Sequence, residues 1–174
     1  FLSDATGQSL PLSLISGYVE VLEGPSTITQ VLEVAAFQVN GTSFNVVAED
    51  MSASSIFSQI DLLIAADDGG AYYLPSFGVD QIGNIDVFEG YAVFLSGAVA
   101  QTISLEGVPA NLGPVTLNPF QVNSLAYLPQ DCMATEDVFA GYEDQLLVVQ
   151  DDGGGFYIPS FSVMSLTEMC PGDG

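Results

Sequence analysis

The strongest constraint on this chain is that it spells nearly the same eleven residues twice. Asp67-Asp68-Gly69-Gly70-Ala71-Tyr72-Tyr73-Leu74-Pro75-Ser76-Phe77 returns 84 positions on (151 − 67) as Asp151-Asp152-Gly153-Gly154-Gly155-Phe156-Tyr157-Ile158-Pro159-Ser160-Phe161, without a gap and with only conservative changes. A second pair, Phe37-Gln38-Val39-Asn40 and Phe120-Gln121-Val122-Asn123, is identical at an offset of 83. A fixed period makes the chain a tandem of modules of roughly 80 residues, large enough for a small core each.

Short β-branched or aromatic runs bounded by Gly and Pro read as strands. Such runs occupy residues 10–15, 18–22 and 28–37. Phe37–Asn40 and Phe120–Asn123 are predicted as the first strand of each module, continued at 46–48 and 126–128. Ser52 or Ser54, and Thr135 with Glu136, are helix starts, followed by apolar residues at helical spacing (Ile56, Phe57, Ile60; Val138, Phe139, Tyr142). Residues 62–66 and 146–150 then lead as strands into Asp-Asp-Gly-Gly, where glycine supplies the positive φ of a two-residue hairpin turn. The return strands, 71–74 and 155–158, end at prolines, which cannot donate a ladder hydrogen bond. Residues 79–85 read as an irregular connection, and 90–97 and 102–105 as two further strands.

The repeat divides the chain into residues 1–36, the complete module 37–119, and module 120–174. Phe1-Leu2-Ser3 matches Phe94-Leu95-Ser96, whereas Gly172-Asp173-Gly174 aligns with the residues just before Tyr91. Residues 1–36 are therefore expected to be the terminal strands of a preceding or permuted module. The second module lacks its last strands unless residues 1–36 or a neighbouring subunit supply them. One reading is a fragment of a longer repetitive protein. The other is head-to-tail strand exchange through Phe1, Leu2, Ser3 and Gly172, Asp173, Gly174, which builds an open homopolymer.

Composition narrows the partners. The 22 acidic residues face no Lys, Arg or His, for a formal charge of −22. Nothing here neutralises a phosphate, so nucleic acid is excluded as a partner. The apolar runs are strand-length and short of the ~20 residues of a membrane helix, so membrane insertion is not expected. With 48% hydrophobic and 13% charged residues, the chain has apolar material to spare for burial against neighbouring modules or subunits.

The two cysteines occur only in the second module. Cys132 aligns with Asp50 and Cys170 with Asp86, so both positions change together. The simplest account is that they are spatial neighbours, with a Cys132–Cys170 disulfide in one module and two carboxylates in the other; the alternative is two buried free thiols in a reduced protein. Closing that loop is worth roughly 3–4 kcal/mol and needs an oxidising compartment. Two neighbouring aspartates share a proton or hold a cation, and calcium suits oxygen ligands. The candidate calcium ligands are thus Asp50 and Asp86, with Asp67, Asp68, Asp151 and Asp152 at the hairpin tips; the alternative is solvated turn aspartates. No other cofactor is expected. Without His or Lys there is no ordinary base for a serine nucleophile, and no enzymatic activity is expected. Asn40-Gly41-Thr42 is formally an N-glycosylation sequon and equally a turn signal.

Leu146-Leu147-Val148-Val149-Gln150 with the hairpin that follows, Pro75-Ser76-Phe77-Gly78-Val79-Asp80-Gln81-Ile82-Gly83, and Gly90-Tyr91-Ala92-Val93-Phe94-Leu95-Ser96-Gly97 resemble repeat modules of large secreted surface proteins. Modules of that kind are common in Bacteroidetes-type bacteria, often in proteins exported by the type IX route. The resemblance implies an extracellular or cell-surface, multi-module, β-rich protein and no catalytic residue. The expected fold is mainly β: two tandem modules, each a small β-barrel or β-sandwich of about five strands and one short helix. The expected function is that of a non-enzymatic extracellular structural protein, a subunit or fragment of a surface fibre, sheath or matrix. The alternative is an adhesive or carbohydrate-binding module.

Overall fold

The computed structural model describes residues 12–15, 18–21 and 26–173. In chain order its elements are β1 (Leu12–Ile15), β2 (Tyr18–Val21), β3 (Ile28–Val34), β4 (Asn40–Ser43), β5 (Val46–Val47), α1 (Ala53–Ile56), β6 (Leu62–Ala66), β7 (Tyr72–Leu74), β8 (Val79–Asp80), β9 (Gly90–Leu95) and β10 (Gln101–Pro109). The second module adds β11 (Met133–Ala134), α2 (Thr135–Val138), β12 (Val149–Gln150), β13 (Phe156–Ile158), β14 (Val163–Met164) and β15 (Glu168–Met169). The protein is mainly β and sandwich-like, and among the described residues no sheet closes into a barrel.

Module 1 packs a five-stranded antiparallel sheet, β4-β9-β6-β7-β8, against a three-stranded one, β3-β10-β5. Strand residues alternate between faces, which sends Leu32 and Val34 of β3, Ile103 and Leu105 of β10, and Tyr91, Val93 and Leu95 of β9 into one core. Phe44 packs there on Phe57 and Tyr91, each with ring centroids 6.2 Å away. Burying each such side chain contributes about 1.5–3 kcal/mol, so β9 is a principal source of the module's stability. β3 pairs with β10 from Gln101↔Val34 to Gly107↔Ile28. Residues 28–34 thus complete the second sheet of module 1. β1 and β2 pair with each other.

Only the first helix is capped by a side chain; α2, with Ala134 at its N-cap position, is not. Ser52 caps α1 by accepting the Ser55 N–H, and α2 starts at Thr135 with Glu136 and Asp137 in its first turn.

Several local expectations need correction. Phe37–Asn40 is a turn rather than a strand: Phe37 and Phe120 take φ of 65° and 66°, and β4 starts only at Asn40. The asparagine explains this, because its side chain replaces a backbone partner. Ala35 N–H donates to Asn40 Oδ1 at 2.8 Å, while Asn40 Nδ2 donates to Ala35 O and Gln38 O. The hairpin tip is a three-residue loop instead of a two-residue one, with Asp67 N–H bonded to Ala71 O and Gly70 at φ 89°. Finally, 79–85 contains β8, paired with β7, of 146–150 only Val149–Gln150 forms a strand, and 126–128, expected to continue the first strand of module 2, forms none.

Module 2 is the smaller structure. Its hairpin β12-β13-β14 and the pair β11-β15 surround a core of Tyr127, Phe139, Tyr157 and Met169, against sixteen buried core residues in module 1.

Candidate assembly interface

The repeated hairpins do more than turn the chain. In each, the first aspartate serves its own loop: Asp67 Oδ1 accepts Ala71 N–H at 2.8 Å, and Asp151 Oδ1 accepts Gly155 N–H at 2.6 Å. The second aspartate reaches the other module. Asp68 Oδ2 accepts Ser124 N–H at 3.0 Å, and Asp152 Oδ2 accepts Gly41 N–H at 3.1 Å. Asp68 and Asp152 are equivalent in the repeat (152 − 68 = 84), as are Gly41 and Ser124 (124 − 41 = 83). Each module gives the other the same contact and receives it back.

Backbone bonds also cross the seam in both directions, between non-equivalent residues. Glu89 of module 1 bridges antiparallel to Leu125 of module 2, and Gly90 N–H donates to Ser124 O at 3.2 Å. In return, Ser43 N–H of module 1 donates to Gly172 O of module 2 at 2.9 Å, and Ser43 Oγ donates to Asp173 O. Asn45 Nδ2 reaches Pro129 O at 3.2 Å, and Gln130 Nε2 reaches Asn45 O at 3.3 Å. Gly172, at φ 106°, lies so close to Leu32 that any Cβ there would collide with it. The aspartate contacts are reciprocal in the manner of a two-fold dimer built within one chain, while the other bonds of the seam join non-equivalent residues.

Acidity is most costly here. Burial raises the Glu89 carboxyl, and the charges of Asp86, Asp67 and Asp68 raise it further. Burial likewise raises its equivalent, Asp173, with Asp151, Asp152 and Glu168 adding to the effect, although Cys170 N–H donates to Asp173 Oδ2 at 2.7 Å and opposes it. Tyr91 is pushed up to about 12, chiefly by burial. Its hydroxyl accepts Asp86 N–H at 2.8 Å.

Cys132 and Cys170 form the expected disulfide, with Cα atoms 4.2 Å apart, one step beyond the Met133↔Met169 rung. Asp50 and Asp86 stand two steps beyond the Ser52↔Asn84 bridge in the corresponding register of module 1. Each carboxylate turns back on its own chain: Asp50 Oδ1 accepts Ser52 N–H and Asp86 Oδ1 accepts Phe88 N–H, both at 2.9 Å. The Ser52 bond is the main cause that lowers the Asp50 pKa. The six candidate calcium ligands are thus all engaged by backbone N–H groups. Among the described residues, the one grouping of three potential ligand side chains is Cys132, Glu168 and Cys170, two of them oxidised.

The Asn40 sequon is spent on structure, because Asn40 is buried and its Nδ2 also donates to Val93 O at 3.2 Å. Tyr73 and Tyr157 pack into the two cores, stacked on Phe57 and Phe139. Phe1, Leu2, Ser3 and Gly174 lie outside the described residues, so the end-to-end contact expected of them has no placement. No helix among the described residues is long and apolar enough to cross a membrane. Sequence reasoning missed Asp68, Asp152 and the Ser124 and Gly41 amides as seam residues. The available signal was that a turn needing one aspartate carries two in both copies.

No protein-family model, curated protein or solved structure matches this chain.

Proposed function

We propose that the chain is a non-enzymatic structural element of an extracellular or cell-surface assembly, built from modules joined edge to edge through backbone hydrogen bonds. The observation that carries this reading is the seam, in which the equivalent aspartates Asp68 and Asp152 of the two modules each reach across to hold the other module. The disulfide supports an oxidising compartment. The absence of Lys, Arg and His from the sequence leaves backbone amides, hydroxyls and side-chain amides as the donors for its many carboxylates, as where Gln101 Nε2 donates to Asp61 Oδ2, which suits a scaffold better than an acid–base catalyst. The seam joins the two modules of one chain, so growth beyond a pair needs a second surface.

The test is negative-stain microscopy with sedimentation velocity across protein concentration and ionic strength. Regular polymers with a repeat set by the module are expected, favoured by salt that screens self-repulsion. A species that stays monomeric throughout and binds glycans on an array overturns this in favour of an adhesive module.

A further inference from the structure

Three positions around the disulfide change together between the modules. Asp50, Asn84 and Asp86 of module 1 become Cys132, Glu168 and Cys170 of module 2, at offsets of 82 (132 − 50), 84 (168 − 84) and 84 (170 − 86). The disulfide accounts for the two cysteines and leaves Glu168 unexplained. Strand alternation puts the acid with them. Glu168 and Cys170 are two apart along the segment that opens as β15, so they share a face, while Met169 between them turns into the core at 8% exposure. Cys132 stands opposite Cys170, one step beyond the Met133↔Met169 rung. One carboxylate oxygen of Glu168 and the two sulfurs all lie within 4.8 Å of one another.

The frame that carries these three side chains does not depend on the sulfur–sulfur bond. β11 and β15 pair at Met133↔Met169 and Ala134↔Glu168, and Thr135 N–H donates to Thr167 O at 3.1 Å. Tyr127 ties both arms: its hydroxyl donates to Asp131 O at 2.7 Å, next to Cys132, and its N–H donates to Asp173 O at 3.2 Å. Asp173 closes the turn after Cys170, accepting Cys170 N–H at 2.7 Å and donating its own N–H to Cys170 O at 3.0 Å. A tetrahedral zinc ion, with bonds of about 2.3 Å to sulfur and about 2.0–2.2 Å to oxygen, holds its ligand atoms about 3.6–3.8 Å apart. That spacing lies inside the 4.8 Å spread already present, so side-chain rotation on an intact frame reaches it. Cys132 and Glu168 are exposed, and the sequence has no Lys, Arg or His to compete for the carboxylate.

We propose that module 2 carries a redox-gated metal site, in which Cys132 Sγ, Cys170 Sγ and the Glu168 carboxylate bind one thiophilic divalent ion, Zn²⁺, once the disulfide is reduced. Water takes the fourth position. A dithiol reductant opens the site: it gives the S–S bond two electrons and two protons, yielding two thiols, and leaves as its own cyclic disulfide. The metal then displaces the two thiol protons into solvent, so two thiolates and one carboxylate face the ion's two positive charges. Thiolates select zinc over calcium, and module 1, with two carboxylates and an amide at these positions, has no such preference. The cross-link between the two strands therefore survives a change of redox state, as a disulfide when oxidised and as a metal bridge when reduced.

The experiment reduces the full chain with a dithiol, desalts it under argon and titrates it with Co²⁺ as a spectroscopic probe, then with Zn²⁺. One Co²⁺ per chain is expected, with a near-ultraviolet thiolate-to-cobalt charge-transfer band that Zn²⁺ displaces and millimolar Ca²⁺ leaves in place. Oxidised protein should show no band. Glu168→Gln should keep the band but weaken Zn²⁺ binding by at least about tenfold, the loss already expected for an outer-shell partner. Cys132→Ser/Cys170→Ser should lose the band. Zn²⁺ should also raise the Tm of the reduced wild type and not that of the double serine variant, a readout that holds even where reduction loosens module 2, because metal binding then drives refolding. Absence of the band or of the Tm rise in reduced wild type overturns the site. So does one ion shared by two chains, or Glu168→Gln binding Zn²⁺ as tightly as the wild type.

Discussion

If Asp50 and Asp86 occupy the register of Cys132 and Cys170, the double variant Asp50→Cys/Asp86→Cys should close a second disulfide in module 1. The magnitude follows from the loop. The two positions are 36 apart (86 − 50), close to the 38 of the native bridge. Loop-closure entropy for such a span is worth about 4 kcal/mol at 25 °C. The variant gives up the Asp50–Ser52 and Asp86–Phe88 bonds, which subtract from that figure, and lowers the formal charge to −20 (22 − 2), which helps. At a few degrees per kcal/mol for a chain of this size, Tm should rise by roughly 5–10 °C, and reductant should remove the rise. Intact mass, thiol titration and peptide mapping on oxidised protein provide the assay, since four cysteines permit three pairings. Mapping should find the 50–86 and 132–170 links. Two free thiols after oxidation, or scrambled links, would refute the register equivalence and the reading of the modules as structural copies.

Thr135 is fully buried with its hydroxyl unpaired, where module 1 carries Ala53, so Thr135→Val should stabilise by about 1 kcal/mol in urea unfolding; destabilisation would mean the hydroxyl has a partner. Gly107 lies where any Cβ would collide with the Val47 carbonyl of β5, so Gly107→Ala should cost about 3 kcal/mol, and a neutral result would disprove that packing. Glu89 and Asp173 have raised pKa values in the folded chain. The folded state holds those protons more tightly than the unfolded state. Their stabilising contribution is therefore fully present below the ordinary carboxylate range and is lost as pH rises through the raised values. Tm should climb as pH falls from 7 to about 5, until Asp50 and Glu143, both lowered, begin to act in the opposite sense. Glu89→Gln/Asp173→Asn should flatten that climb, and a climb unchanged in this variant would locate the effect elsewhere.

Much of the fold was legible in the residues because repetition supplied an internal comparison. The alternating strands, the short helices, the proline-ended returns and the disulfide all follow from local pattern or from aligning the copies. What the pattern hid depends on partners distant in sequence. Leu62–Ala66 and 146–150 are close variants, yet the first forms a five-residue strand paired with both β7 and β9, and of the second only Val149–Gln150 is paired among the described residues. Phe37–Asn40 reads as a strand by composition, but the Asn40 side chain bonds back to Ala35 and bends it. The seam was hidden for the same reason. Nothing local to Asp68 reveals that its acceptor serves Ser124, 56 residues away.

The aspartates at turns and seam take their hydrogen bonds from main-chain amides, so no cationic side chain is missing from this fold. That has a consequence for durability. Trypsin-class proteases cut after lysine or arginine, and these 174 residues offer them no site, folded or unfolded. Amine-directed cross-linking finds no side chain to modify either. A backbone-served acidic surface thus makes the chain indifferent to one whole class of protease, a property written into its composition.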